Sequence, residues 1–515
     1  MTVINLKKKH GHLEVRINPD IIIIIVKIKR ISGSHKHGFA SIHSISHLRR
    51  HQEVSMHTQR HMPTVFSASC QIHAMHAPLQ PSLSQHKQSW IARSFDSIRL
   101  QKRSVTRSKA CRSKCSSTQT TVDRELPKQK HPGLVLTTGP SEAWDHAAVG
   151  NPVVRCYFGD NEQRWYMWYS GNSSSGRAVD AISPCSGATG VATSSNGADW
   201  TRVPSASSAA PSATAAEDKK KSGPKGQGCV MQPGEDWWTF DTCHIAVSDV
   251  QILSNNAVAT GVGVYWMFYS GASFEDVAAP EGFPGLQAHD SVEGLRMRPG
   301  LAMSQDGLNW ARIEGEHHTG AILDVGEAGE WDELFIANPQ VVAAGPGDMR
   351  MYYHSFDKVQ QRFVVGWASS PDGFKWTKQG PMFSGSTEPG SFDARGVAAC
   401  NIVRDLDTKK FVMWYEGVAE DKSRSIGMAV SNDGISGWKR WDRPVLTCSN
   451  DPEAWDRGSV GTPCPVSMAG GSWRLYYSGR QGSSGAWTGI GMALTSSDSE
   501  EVEGIKISFK RRGQA

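Results

Sequence analysis

Five times between residues 132 and 498 the sequence returns to one pattern, and a chain that repeats itself at such a period is confined to few architectures. The first landmark is an aromatic residue followed by Asp: Trp144-Asp145, Phe240-Asp241, Trp331-Asp332, Phe392-Asp393 and Trp455-Asp456. The second is an aromatic-rich segment ending at Tyr169, Tyr269, Tyr353, Tyr415 and Tyr477. The third is a small-apolar run before a turn, read as GVATSSNGADW, GLAMSQDGLNW, GWASSPDGFKW, GMAVSNDGISGW and GMALTSSD. WYMWY and FVMWY are built from residues that suit a pleated, half-buried surface. An Asp-Gly or Asn-Gly pair between apolar runs is a hairpin signal. Three or four short strands per unit, repeated five times, predict an all-β fold, a five-bladed radial β-propeller. Units are expected at about 132–204, 229–312, 320–378, 382–440 and 444–498, within a domain spanning 126–515.

Two insertions swell the early units. Pro204 to Gly228 is an Ala/Ser tract ending in EDKKKSGPKGQG, whose composition predicts a disordered loop. Ala272 to Pro299 is Gly/Pro-rich and is expected either as a lid over one face or as an ordinary irregular loop.

Charge divides the chain where the repeats begin. Residues 1–122 hold 20 Lys and Arg against 4 Asp and Glu, whereas the remainder holds 35 basic and 46 acidic residues. Twelve of 19 histidines lie in the first part and 17 of 18 tryptophans in the second, which assigns the core to the second. Residues 1–125 are therefore expected as a disordered extension. From Met75 to Val122 it is rich in Arg, Lys and Ser with one acid, Asp96, the composition of an organelle transit peptide. Import into a plastid is the expectation, with mitochondrion or cytoplasm as alternatives. A translation start at Met56, Met62 or Met75 would leave the histidine run outside the protein. IIIIIV, residues 21–26, is far short of the roughly 20 apolar residues of a membrane helix. The acidic body speaks against nucleic acid as a partner. Ten scattered cysteines offer no zinc spacing and no complete disulfide framework, so no metal and no cofactor are expected.

The pattern "aromatic-Asp, N-P-x-V, aromatic-Y-S-G, G-x-A-x-S-x-D-G-x-x-W" resembles the five-bladed propellers of the arabinanase, levansucrase and invertase superfamily of glycoside hydrolases. The resemblance covers about Pro132 to Ser497. It implies a carbohydrate pocket at one mouth of the central channel and three carboxylates from the inner strands of successive blades. One is an Asp base or nucleophile, one a tuning Asp and one a Glu acid. Glycoside hydrolysis requires such a set, because one carboxyl donates a proton while another attacks or activates water.

The carry-over is partial. The first Asp is replaced by Asn151 in VGNPVV, and the third unit, FIANPQVV with Asn338, lacks the Glu, the nearest acid being Glu333. Asp249 in AVSDVQI matches the tuning position, where its counterparts are Val153, Gln340, Asn401 and Cys464. A residue present in every unit is more readily structural, so Asp145 and its four counterparts are expected to hold backbone, while the alternative is a ring that binds sugar hydroxyls. Polar residues that break a column are the better site candidates. After Tyr the column reads Ser170, Ser270, His354, Glu416, Ser478. Asp249, Glu333, Asp145 and Glu416 are thus the candidate catalytic residues. Asn151, His244, Asn338, His354, Arg395 and Arg457 are the candidate substrate-binding residues. Three functions stay open: a hydrolase or transglycosylase of a furanoside or short oligosaccharide, a catalytically silent carbohydrate-binding propeller, and a protein-interaction platform. A monomer is expected in each case.

Overall fold

The computed structural model describes residues 131–158, 163–173, 187–204, 226–253, 263–482, 485–496 and 499–514, together with two short strands near the N-terminus. The chain divides into two units, Met1–Gln119 and Thr120–Ala515. In the first, the described residues are the antiparallel pair Lys8–Lys9 and His12–Leu13. The expected extension and transit peptide otherwise lie outside the described residues, as does 205–225 of the first insertion.

The second unit is the five-bladed propeller that the repeat predicted, each blade a twisted antiparallel sheet. The innermost strands are Ala148–Phe158, His244–Leu253, Ala337–Gly345, Val397–Arg404 and Ser459–Ser467, and each packs against the next around the ring. Blades two, three and four are plain four-stranded meanders. Blades one and five have composite outer edges. In blade one, both Thr201–Arg202 and Cys229–Met231 pair with Ala188–Ser194. In blade five, Phe509–Arg511 and Leu134–Thr137 share the strand Gly489–Thr495. Leu134–Thr137, inside the first unit by repeat spacing, therefore completes the last blade and seals the ring.

The two landmarks of each repeat meet on one side chain. The aromatic residue stacks on the tyrosine of its own blade, with ring centroids 5.5, 5.8, 5.4, 6.1 and 5.6 Å apart from blade one to blade five. The adjoining Asp accepts the same tyrosine's hydroxyl at 2.9 to 3.0 Å. A basic residue from the outer strand then pairs with the carboxylate: Arg202, Arg312, Lys378, Arg440 or Arg511. Each buried charge is thereby neutralised and hydrogen-bonded, as burial requires. Each stacked ring pair adds about 0.5–1.5 kcal/mol beyond the area it buries. The glycine opening each third-landmark run serves this packing, because a Cβ on Gly300 or Gly366 would come within 2.4 Å of the ring atoms.

The Asp-Gly turns are also built alike. Ser304 Oγ accepts the Gly307 N–H, and Asp306 accepts the N–H groups of Leu308 and Asn309. The same set recurs at Ser370 and Asp372 and at Ser431 and Asp433. Gly307, Gly373 and Gly434 all take the left-handed conformation that glycine tolerates without strain. These turns also tie blades together, since Trp168 donates to Gly307 O and Tyr352 to Gly434 O, each at 3.0 Å.

The second insertion is docked. Asp276–Ala278 pairs with Ser291–Glu293, and between them Phe283 enters a cluster with Phe335, Phe356 and Phe363 beside the third blade.

Candidate functional site

The channel begins at a bulge repeated in every inner strand. Two residues there face one on the neighbouring strand: Asn151-Pro152, Val247-Ser248, Asn338-Pro339, Ala399-Cys400 and Thr462-Pro463. Asn151, Asn338, Ala399 and Thr462 all have positive φ, which is uncommon outside glycine and strained for a β-branched residue such as Thr462. What holds each bulge comes from the preceding blade. Ser170 accepts the N–H of Val247, Ser270 that of Asn338, and Ser478 that of Asn151, at 3.1, 2.9 and 2.9 Å. His354 Nδ1 accepts the N–H of Ala399 at 3.3 Å, and Glu416 Oε2 that of Thr462 at 2.9 Å. The column holding Glu416 is therefore a closed ring of five acceptors, one between each pair of blades.

The candidate carboxylates do not converge. Glu416 is buried, and its other oxygen pairs with Arg424. Asp249 is fully buried between three blades, where it pairs with Arg155 and accepts from Gln251 at 2.8 Å and from the Val341 N–H at 3.0 Å. Asp145 belongs to the five-fold clusters of Asp, Tyr and a basic residue, with Tyr169 and Arg202 on one oxygen. Glu333 lies outside the channel, paired with Lys358 at 3.1 Å and accepting the Gly329 N–H at 2.7 Å. Burial pushes the Glu333 carboxyl up, but the Gly329 N–H and Lys358 outweigh it and hold the group below the usual carboxylate range.

The candidate binding residues are equally dispersed. His244 is buried with Nε2 against the Gly294 carbonyl at 2.8 Å. His354 packs on Phe335 and Phe363, and burial, with Arg424 nearby, pushes it down to about 3, so it stays neutral. Arg395 reaches the Gly282 carbonyl of the docked insertion, and Arg457 is exposed beyond Asp456. Asn151 and Asn338 do face the axis. With Ser248, Cys400, Asn401 and Thr462 they line a constriction of about 30 Å³, room for about one water. Burial pushes the Cys400 thiol there up to about 12, which leaves no thiolate to act as a nucleophile. Among the described residues no group of three or more His, Cys, Asp or Glu converges as metal ligands do.

Beyond the constriction, toward the C-terminal ends of the inner strands, the channel widens into a cavity of about 670 Å³. All five blades contribute to its walls. Val342, Val403 and Val466 form one apolar level, and at the matching positions of blades one and two stand Arg155 and Gln251. Trp165 and Phe158 border it on the first blade, with Arg404 on the fourth. Gln340 is committed to the wall itself, bonding both the N–H and the carbonyl of Ile402 at 3.2 Å. Sequence reasoning missed this group, although the signal was present, because Arg155 and Gln251 break a column that otherwise reads valine.

Neither a protein-family model nor a curated protein matches the sequence. Solved structures similar to the chain include one titled glycoside hydrolase, 16% identical with a TM-score of 0.45, covering 71% of this chain and 92% of its own. A thermostable family-43 glycoside hydrolase is 14% identical with a TM-score of 0.45, covering 74% of this chain and 99% of its own. An N-acetylgalactosamine deacetylase from F. plautii, in complex with blood group B trisaccharide, is 16% identical with a TM-score of 0.45, covering 70% and 94%. The five-bladed architecture of this chain rests on its own strand pairing.

Proposed function

We propose that this chain is a glycoside-hydrolase-like propeller that binds a carbohydrate in its central channel without hydrolysing it. One observation carries the reading: the cavity of about 670 Å³ is lined by amide, arginine, aromatic and aliphatic side chains, with no carboxylate among the described residues. Pockets of roughly 300–1,000 Å³ with apolar walls and a few polar groups are typical of small-ligand sites. The amide of Asn401 can both donate and accept, as sugar hydroxyls do, Gln251 offers its amide oxygen while its NH2 is held by Asp249 and the Val341 carbonyl, and the valine level offers surface to the C–H face of a ring.

Hydrolysis asks for something else. A protonated carboxyl and an ionised one must flank the same bond, about 5 to 10 Å apart. Asp249 and Glu416 are instead locked by arginines and backbone N–H groups, and Glu333 is shifted opposite to what a general acid needs. At the constriction, the resemblance's first aspartate position holds Asn151.

Calorimetric titration of the full chain with furanoside and pyranoside oligosaccharides, charged and neutral, tests the reading. Saturable binding is expected, abolished by Ser467→Trp at the exposed cavity rim, with no reducing sugar released on prolonged incubation. Sugar release that Asp249→Asn or Glu416→Gln eliminates would restore the hydrolase reading. Binding indifferent to Ser467→Trp would move the ligand out of this cavity. If no sugar binds, the protein-interaction platform is left.

A further inference from the structure

The cavity at the wide end of the channel is lined by two cations, Arg155 and Arg404, and only one of them is neutralised. Arg155 pairs with the buried Asp249, and it also donates from Nε and Nη1 to the carbonyls of Val250 and Val154 at 2.8 and 3.0 Å. Arg404 makes no ion pair among the described residues. Its polar contact is the Lys409 carbonyl at 3.5 Å, and its guanidinium lies 5.7 Å from the centre of the Phe411 ring, against which Arg350 also lies. The matching positions of the other inner strands are Cys156, Ile252, Ala343 and Ser467, so this charge is peculiar to the fourth blade. With one pair cancelled, the lining carries a single excess positive charge at the rim of a mostly apolar chamber.

We propose that the ligand of this cavity is an anionic sugar, whose carboxylate or phosphate group is received by Arg404 while its ring lies within the cavity. The proposal rests on the reading that the cavity holds a carbohydrate. A guanidinium presents paired donors that match the two oxygens of either acid group. The charge of Arg155 is already matched by Asp249, whereas Arg404 gives up one long hydrogen bond and no ion pair among the described residues.

The test is calorimetry on the full chain with matched pairs: trigalacturonate against galactotriose, and glucose 6-phosphate against glucose. The expected result is that one anionic member binds at least about tenfold tighter than its neutral partner, and which pair responds distinguishes uronate from phosphate. The preference is expected to shrink in about 0.5 M NaCl. Arg404→Gln is expected to abolish the preference, bringing the anionic member down to the affinity of its neutral partner, and because Arg404 is exposed the variant should melt like the parent. Equal binding of charged and neutral partners would overturn the anionic assignment and leave the carbohydrate reading standing. A preference that survives Arg404→Gln would overturn the role of Arg404. Failure of all four probes and of the neutral oligosaccharides would overturn both readings.

Discussion

At position 416 the fourth blade holds a carboxylate where three blades hold a serine hydroxyl, and the partner in every case is a backbone N–H of the next blade. Any acceptor of suitable reach satisfies that N–H, which is why the column admits Ser, His and Glu. The cost of choosing Glu is a buried charge, met by Arg424 eight residues on. Glu416→Ser is expected to lose about 3 kcal/mol in urea denaturation, because it strands Arg424. Glu416→Ser with Arg424→Met, the residue of the matching position in blade two, should recover most of that. Equal stability of parent and single variant would show that the pair contributes nothing. His354 makes a related choice with a different consequence. Its folded pKa is depressed to about 3 from an unfolded value near 6.5, so the unfolded chain binds the proton more readily between those values. The stability it contributes is full above about pH 6.5 and is lost as pH falls toward about 3, by at most about 1.4 kcal/mol per unit. His354→Ser should flatten the fall in melting temperature across that window, and an unchanged slope would assign the acid sensitivity to other groups.

At the scale of elements, the Asp-Gly turns and the docked insertion differ in how local they are. Each turn closes on partners within three residues, so S-x-D-G could be read as a structure directly from sequence. The insertion is held from outside itself, through Phe283 against Phe335, Phe356 and Phe363 and through Arg395 on Gly282 O. Its composition suggested a lid or a loose loop, and nothing in a Gly/Pro-rich run announces one anchoring ring. Phe283→Ala is expected to remove that anchor at a local cost of about 3–5 kcal/mol. Hydrogen exchange of residues 276–293 should then rise strongly while the inner strand Ala337–Gly345 keeps its protection. Equal loss of protection in both would mean that the insertion is part of the propeller's cooperative core.

For the whole molecule, five blades were legible because each repeat carries its own aromatic, Asp and Tyr, and these meet within the blade. The site was less legible because its determinants lie between blades. Asn151 pairs with Ser478 and Asp249 with Arg155, contacts that span up to 327 residues of sequence. A break in repeat symmetry therefore has two physical origins. It marks an exchanged acceptor at His354 and Glu416, and it marks the channel wall at Arg155, Gln251 and Arg404. The second kind was not singled out from the sequence. The outer edge of blade five has a further consequence, one of timing. Leu134–Thr137 hydrogen-bonds to Gly489–Thr495, so the first strand of the propeller to leave a ribosome waits for nearly the last. At about 5–20 residues per second that interval is on the order of twenty seconds to a minute. Throughout it, an unpaired strand and four blades of an unclosed ring stand open to wrong partners. Synthesis of this protein therefore contains a window in which a chaperone or a rapid finish to translation would shield the waiting strand.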